Sequence, residues 1–264
     1  MYIKVGIVMS IRDFTYNSYQ ELLNLIIISG YNICNYHTHT AFKNPCIIRH
    51  DIDYDIEKAV KLAETESSFQ KQEIHSTYFV LLTSNLYNTF EKNNTKHLKK
   101  VISFGHEIGL HFDETYYFNN PSTNNYHEKI IEYILKEKNI LEQIIESPVS
   151  SVSMHNPSKY ILELNLEIPG ILNSYSNLFF KEFKYLSDSW HNWRENAEEI
   201  VSSKKFEKLH LLTHPIWYTD SQNNMRNKLF NFVSTRNQKV YDEIDKTTKH
   251  CNPPFSEIIA RSEI

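Results

Sequence analysis

Four short apolar segments of this chain end in histidine or aspartate, and helical segments separate them. The first covers residues 46–53, in which a strand-like Cys-Ile-Ile is followed at once by Arg49, His50, Asp51 and Asp53. The others end at His111 with Asp113, at His155 and at His214. Parallel strands separated by helices bring their carboxyl ends to the same side of a sheet. The sequence therefore predicts that these polar residues meet at one site.

The alternation of helical and strand-like segments continues through most of the chain. Apolar residues recur at helical spacing in residues 15–30, 56–72, 94–104, 126–145 and 196–201. Strand-like runs occupy residues 75–82, 107–112, 149–154 and 209–213, with weaker ones at 170–175 and 184–186. This order predicts parallel strands with helices outside them. We expect one domain over residues 1–264 that closes with a polar helical tail from about residue 222.

Charge and cysteine content exclude several classes of protein. The 28 basic and 32 acidic residues leave a net charge of -4, which argues against nucleic-acid binding and against membrane-surface binding. No window reaches the roughly eighteen apolar residues of a membrane span, and the first residues are too short an apolar stretch for a secretory leader. The three unevenly spaced cysteines indicate reduced thiols. We therefore expect a soluble, cytoplasmic protein.

The residue types at the predicted strand ends suit metal chemistry. A lone histidine among thirteen is more often a surface or core residue, but recurrence at successive strand ends is harder to explain in that way. An aspartate with two histidines can bind a divalent cation such as zinc and leave a position open for water. The alternative for Asp51 and Asp53 is that they cap a helix that begins near Ile56. Gly105 and Gly109, two of only five glycines, predict close backbone approach or unusual dihedral angles before His111.

Four motifs, taken in order, carry a resemblance to a known family. They are Arg49-His-Asp-Ile-Asp53, Ser76-Thr-Tyr-Phe-Val80, Gly105-His-Glu-Ile-Gly-Leu-His111 and Leu209-His-Leu-Leu-Thr-His214. Over residues 46–214 the chain resembles the NodB-homology polysaccharide deacetylases, a carbohydrate esterase superfamily. It looks most like a divergent bacterial branch with Arg-His-Asp-x-Asp in the first motif, which is linked to surface polysaccharide synthesis. The resemblance implies a distorted or incomplete (β/α) barrel of about seven parallel strands with outer helices.

The resemblance also implies roles for individual residues. Asp51 matches the general base of the family and Asp53 its metal-binding aspartate, although Ile52 separates two residues that are adjacent in the family. A strand period of two would still place both carboxylates on one face. His111 matches the first metal histidine, and His214 matches the general acid.

Substrate-binding residues are expected among the aromatic residues near the last motifs. Asp188-Ser-Trp190 resembles the motif whose tryptophan shapes the pocket and whose aspartate orients the catalytic histidine. Trp217 lies close after His214 and adds to the aromatic density that suits sugar rings. Asp188, Trp190 and Trp217 are therefore the predicted substrate-binding set.

One departure from the family pattern concerns the metal ligands. The second metal histidine of the family lies four residues after the first, where this chain has Thr115. His155, Asp113 or Glu114 could replace it, and we favour His155 because it ends a neighbouring strand. His155 itself occupies the position of an arginine that orients the base in the family, and Arg49 could substitute for that arginine.

Together these features predict a metal-dependent hydrolase. The expected reaction removes an N-acyl group, in the simplest case acetyl, from an amino sugar in surface polysaccharide or glycan-precursor synthesis. Zinc is the expected cofactor, with cobalt or nickel as alternatives. An amidase acting on a small non-sugar amide is one alternative function. An inactive carbohydrate-binding subunit with the same fold is another, favoured by the threonine at position 115.

Overall fold

Parallel β-strands form the centre of the structure, a computed structural model that describes residues 10–119 and 125–261. The chain divides into two compact units, one that ends at Ser221 and one that begins at Gln222. The strands of the first unit are β1 Asn32–Cys34, β2 Pro45–Ile52, β3 Thr77–Leu81, β4 Glu107–Phe112, β5 Ser151–Met154, β6 Leu172–Asn173, β7 Lys184–Ser187 and β8 Leu209–Thr213. Its helices are α1 Tyr16–Ile28, α2 Ile56–Ser67, α3 Lys92–Ser103, α4 Tyr126–Ile145, α5 Lys159–Leu164 and α6 Ala197–Ser203.

Seven of the strands form one path in the order β6-β5-β4-β3-β2-β8-β7. Every pair along this path is parallel, and the short β1 pairs with the first half of β2. Within the described residues β6 and β7 end the path without pairing to each other, so the barrel is open. The predicted fold class, an incomplete (β/α) barrel with outer helices, is confirmed.

The helices cover the outside of the sheet. Apolar residues of α2, α3 and α4, among them Ile56, Leu98 and Ile134, pack against Val80 and Leu110 of the strands in one buried cluster. Helix α2 takes its N-cap from Asp55, whose Oδ1 accepts a hydrogen bond from the backbone N–H of Glu57 at 2.9 Å. Asp51 and Asp53 are therefore not the caps of this helix. β1 and the six-residue α5 were not predicted from the sequence pattern.

The structure explains why glycine occupies both Gly105 and Gly109 of the β4 segment. Gly105 has φ of +91°, in the left-handed region that other residues enter only with strain. Gly109 lies inside β4, where a Cβ atom would be 2.5 Å from Cε1 of Phe79 and 2.8 Å from Oγ of Ser151. These two positions let β4 pass close to its neighbours and present His111 at its end.

The second unit contains α7 Met225–Thr248 and α8 Phe255–Ile258. The rings of Tyr241 and Phe255 lie 5.1 Å apart, and the Tyr241 hydroxyl donates to the carbonyl of Ile259 at 2.9 Å. No helix among the described residues has the length and apolar character needed to cross a bilayer. The single-domain organisation stays a prediction.

Candidate metal centre and catalytic groups

The carboxyl ends of β2, β4, β5 and β8 bring together the residues that the sequence predicted to converge. Because all strands of the path are parallel, Asp51 near the end of β2 and Asp53 just after it lie on the same side as His111, His155 and His214. Asp51 and Asp53 line the same cavity, as the alternation of β2 predicted. The structure thus places five of the predicted site residues around one cavity.

Asp53, His111 and His155 form a group that could hold a metal ion. Asp53 Oδ1 lies 3.3 Å from His111 Nε2 and 3.5 Å from His155 Nδ1, and the two nitrogens are 3.2 Å apart. Tetrahedral zinc with ligands at about 2.0–2.1 Å separates its ligand atoms by about 3.3 Å. Asp53 Oδ1 is also buried and makes no hydrogen bond of good geometry. Both observations fit a cation bound by these three atoms.

Hydrogen bonds around the three residues set the protonation of the rings. His111 Nδ1 lies 3.3 Å from the carbonyl oxygen of Ser153, which can only accept, so Nδ1 carries a hydrogen and Nε2 is the ring nitrogen turned toward Asp53. A hydrogen also lies between His155 Nδ1 and His111 Nε2, which are 3.2 Å apart in the protein without a cation. This proton lies where a cation would bind, so metal binding requires its release.

The charges of the group support one another. Burial opposes ionisation of Asp53, yet the nearby His111 and His155 hold the pKa of this carboxyl well below its usual range. Burial likewise disfavours a charged His155, but Asp53 outweighs burial and raises the pKa of that imidazole. Asp53 is therefore ionised at neutral pH, as a metal ligand must be.

Asp51 is held by a buried arginine on the same strand. Arg49 Nη2 lies 3.2 Å from Asp51 Oδ2, and both side chains are almost completely buried. The guanidinium also donates to Ser174 Oγ at 2.8 Å and to the Tyr175 hydroxyl at 3.1 Å. Asp51 Oδ1, in contrast, is buried without a hydrogen-bond partner. One carboxylate oxygen is thus fixed, and the other can accept a proton.

His214 forms a second charged pair with Asp188. Nδ1 of His214 lies 2.6 Å from Asp188 Oδ1, and the backbone N–H of His214 donates to the same carboxylate. Burial disfavours the imidazolium, but Asp188 outweighs burial and raises the pKa of His214 to about 9. Nε2 of His214 lies 3.7 Å from Asp53 Oδ2, so the proton on Nε2 faces the group formed by Asp53, His111 and His155. This arrangement suits a group that donates a proton.

Two cavities meet at this cluster. The larger, of about 340 Å³, includes Trp190 and Trp217 in its lining, and the smaller, of about 220 Å³, includes Asp51, His111 and Leu212. Five residues line both: Asp53, His155, Asn156, Ser189 and His214. A ligand that spans both cavities would therefore pass directly over the metal group.

The remaining predicted residues take different places. Trp190 is 71% exposed and Trp217 is buried, and both line the larger cavity. Asp188 is fully buried behind His214 and lines neither cavity, which agrees with the orienting role implied by the family motif, and its contact with substrate stays a prediction. Trp190 and Trp217 thus form part of the cavity wall, whereas Asp188 supports His214.

The alternative metal ligands are engaged elsewhere. Glu114 accepts hydrogen bonds from the Tyr126 hydroxyl and from the backbone and side chain of Ser158. Asp113 lines the larger cavity, but its Oδ1 accepts from the backbone and hydroxyl of Thr115 at 2.9 and 2.7 Å. Within the described part of the chain, the group that fits a metal ion therefore contains His155 in their place.

Several residues of the site carry no clear sequence signal. Ser174 and Tyr175 hold Arg49 but lie more than a hundred positions away in the chain, at the end of the two-residue β6. Thr83, Ser84 and Asn85 line the larger cavity from the loop after β3. Polar residues in a loop are common, so only the folded structure reveals these contacts.

Fold and site together define an open (β/α) barrel with a possible Asp-His-His metal site at the carboxyl ends of its strands. No protein-family model and no curated protein matches the sequence. Among solved structures, the chain is similar to wild-type BA3943, described as a CE4 family pseudoenzyme from Bacillus anthracis. The identity is 14% and the TM-score 0.41, over 75% of this chain and 62% of that one.

Two further solved structures are similar at comparable levels. IcaB from Ammonifex degensii has 11% identity and a TM-score of 0.37, over 53% of this chain and 65% of that one. A BA3943 mutant, described as a CE4 family pseudoenzyme with restored enzymatic activity, has 13% identity and a TM-score of 0.40, over 75% and 64%.

The chain therefore spans less than two thirds of the length of each of these three solved structures. Two of these structures are described as CE4 family proteins, and for this chain the superfamily and its divergent branch stay what the sequence motifs indicate. TM-scores below 0.5 carry no conclusion about activity.

Proposed function

We propose that this protein is a metal-dependent amide hydrolase that removes an N-acyl group, in the simplest case acetyl, from an amino sugar. The observation that carries the proposal is the arrangement of three ligand atoms 3.2–3.5 Å apart between two separate proton-handling pairs. Arg49 with Asp51 forms one pair, and Asp188 with His214 forms the other. Surface polysaccharide or its precursors are the proposed source of the sugar, on the strength of the sequence motifs.

Asp53, His111 and His155 would hold the cation, for which zinc is proposed because two imidazoles and one carboxylate are typical zinc ligands. When bound, such an ion lowers the pKa of a coordinated water towards about 7 and polarises a carbonyl group. Ser153 holds the His111 ring in the tautomer that presents Nε2 to the ion. The nearby imidazoles keep Asp53 charged for the same purpose, against the opposing effect of burial.

Asp51 would act as the general base. Its free Oδ1 accepts a proton from the attacking water, while Arg49 holds Oδ2 and keeps the carboxylate oriented. The water oxygen forms a bond to the acyl carbon, and the bond from that carbon to nitrogen then breaks. The products are a carboxylic acid and a free amine.

His214 would act as the general acid that protonates the leaving nitrogen of the amide. An amine leaves an acyl carbon slowly unless its nitrogen receives a proton, and Nε2 of His214 faces the metal group with a proton to give. Asp188 fixes Nδ1 and stabilises the charged ring, so the proton available for transfer is the one on Nε2. The two pairs therefore perform the two proton transfers that amide hydrolysis needs.

Metal analysis with activity tests this proposal. Protein purified without chelator should contain close to one equivalent of zinc by mass spectrometry, and His111→Ala and Asp53→Ala should lose it. The zinc-loaded protein should release acetate and a free amine from at least one member of a panel of nucleotide-linked, lipid-linked and oligomeric N-acetyl sugars. Folded protein that binds no divalent cation would contradict the proposal and favour an inactive carbohydrate-binding protein.

A further inference from the structure

The loop from residue 82 to residue 91, called here the β3–α3 loop, contributes a polar wall to the larger cavity through Thr83, Ser84 and Asn85. We propose that the side chains of Thr83 and Asn85 bind ring hydroxyl groups of a neutral pyranose whose apolar face lies on Trp190. This inference rests on the proposed function, because it identifies where the sugar of the amide substrate binds. It also selects a sugar over a small non-sugar amide.

Thr83 and Asn85 have unused hydrogen-bonding groups. Thr83 Oγ1 is buried and has no hydrogen-bond partner within the described chain, although the residue lines the cavity. A buried hydroxyl without a partner destabilises the protein, and a hydrogen bond to a ligand hydroxyl in the cavity would remove that cost. Asn85 is exposed at the same wall. A hydroxyl and an amide together can both donate to and accept from sugar hydroxyl groups.

The β3–α3 loop is attached firmly to the metal centre. The Tyr87 hydroxyl accepts from the backbone N–H of Leu81 at 2.8 Å and donates to the carbonyl of Ile52 at 2.7 Å. Ile52 immediately precedes Asp53, and Tyr87 is buried. This bridge fixes Thr83 relative to the metal ligand before any substrate arrives, which lowers the entropic cost of binding.

Trp190 is presented to the cavity by a strained turn. It has φ of 61° and ψ of 34°, a left-handed conformation that is costly for a bulky residue, and His191 follows with φ of 55°. The His191 ring packs 4.2 Å from that of Phe14 and 5.6 Å from that of Trp217. These contacts hold the turn, and Trp190 remains 71% exposed at the cavity.

The chemistry of the lining favours an uncharged ring. A pyranose has apolar C–H faces that stack on an indole and edges of hydroxyl groups that bind amides and hydroxyls. No lysine or arginine lines the larger cavity within the described residues, although Arg194 lines the smaller one, so this wall has no cationic side chain to pair with a phosphate. The subsite therefore fits the sugar ring itself rather than a charged group attached to it.

The loop supplies a matched pair of variants. Thr89 also has a buried Oγ1 without a hydrogen-bond partner and belongs to the same loop, but it does not line the cavity. Thr83→Val and Thr89→Val make the same chemical change. A general effect of losing a buried loop hydroxyl would appear in both variants, whereas an effect on sugar binding would appear only in Thr83→Val.

The experiment measures binding of the N-acetyl derivatives of glucosamine, galactosamine and mannosamine, and of their monodeoxy analogues, by ligand-observed NMR titration of the full chain. Thr83→Val should weaken binding of the best monosaccharide about five- to tenfold, and Thr89→Val should leave it unchanged. One deoxy analogue should bind both wild type and Thr83→Val equally, because it lacks the hydroxyl that Thr83 contacts. Trp190→Ala, a change at an exposed position, should weaken all the sugars.

Equal affinities of Thr83→Val and Thr89→Val would overturn the subsite, as would a wild type that binds none of these sugars. The subsite would also be overturned if Thr83→Val weakened the binding of every deoxy analogue by the same factor relative to wild type. Titrations with and without zinc separate this result from the proposed function. Sugar binding that depends on Thr83 in a protein without zinc or turnover would preserve the subsite and reject the hydrolase.

Discussion

At the scale of single residues, the site depends on two carboxylates of one strand with different surroundings. Asp51 is paired with Arg49, while Asp53 faces two imidazoles. The surroundings of two histidines differ in the same way. His214 is paired with Asp188, whereas His155 lies against Asp53. Environment rather than residue type would therefore separate the residues proposed for proton transfer from those proposed for metal binding.

Asp51→Asn should remove activity without removing the metal. Asn cannot take the proton of the attacking water, so kcat should fall by about 10²–10⁴-fold, while the three ligand residues stay in place. Initial rates on an accepted N-acetyl sugar and zinc content of the same sample test this. Asp55→Asn, which changes a carboxylate at the start of α2, is the matched control and should retain activity. Wild-type turnover in Asp51→Asn would refute its role as base.

Asp188→Asn should move the alkaline limit of activity to lower pH. His214 must be protonated to donate, and Asp188 raises its pKa to about 9, so activity should fall as pH rises through the folded-state value. Without that carboxylate the pKa of His214 decreases, and the fall in kcat/KM should begin nearer neutrality. Profiles of kcat/KM against pH for both proteins measure the shift. An unchanged alkaline limit would contradict the assignment of His214 as acid.

At the scale of elements, β2 uses both of its faces. Arg49 and Asp51 face the cavity side, whereas His50 points the other way into a buried polar network. His50 contacts Thr213 Oγ1 at 2.6 Å and Glu66 Oε1 at 3.1 Å. Glu66 of α2 also accepts from the hydroxyls of Tyr19, Ser76 and Tyr78. The network links β2 and β8 immediately behind Asp51 and His214.

Glu66→Ala should destabilise the fold by about 3–5 kcal/mol, because it leaves His50 and several buried hydroxyls without their acceptor. Burial opposes the charge of Glu66, but His50 and the other donors hold its pKa at about 2, so the carboxylate is ionised at all ordinary pH values. Glu64→Ala, two positions earlier on the exposed face of α2, should change stability little. Urea unfolding of both variants gives the comparison. Equal midpoints would show that the network adds no stability.

The elements also show what sequence can and cannot predict. The change from apolar to charged residues at 48–49 predicted a strand that leads into the site, and the glycines of β4 predicted close backbone approach, because these patterns are local. Pairing of Arg49 with Ser174 and Tyr175 depends on where β6 joins the sheet, and a two-residue strand leaves no periodicity to detect. The family motif, in contrast, implied that Asp188 lies behind His214, and in the structure the pairing of β7 with β8 produces this position.

At the scale of the whole molecule, the proposed cation would join three strands that are far apart in sequence. Asp53 follows β2, His111 lies in β4 and His155 follows β5, so one ion would connect about half of the barrel. A ligand that binds only the folded state stabilises it according to its concentration and affinity. The metal site is therefore also expected to contribute to global stability.

Zinc should raise the melting temperature of the wild-type protein. At a free concentration of about 100 times Kd the stabilisation is about 2.7 kcal/mol, or roughly 5–10 °C for a chain of this size. His155→Ala should lose this increment, whereas His127→Ala, at an exposed position of α4, should keep it. Because Asp53 raises the pKa of His155, protons compete with zinc, and the increment should be largest above that raised pKa and disappear as pH falls through it. Scanning calorimetry with and without zinc at several pH values measures these effects. An increment that persists in His155→Ala, or that grows as pH falls, would place zinc binding elsewhere.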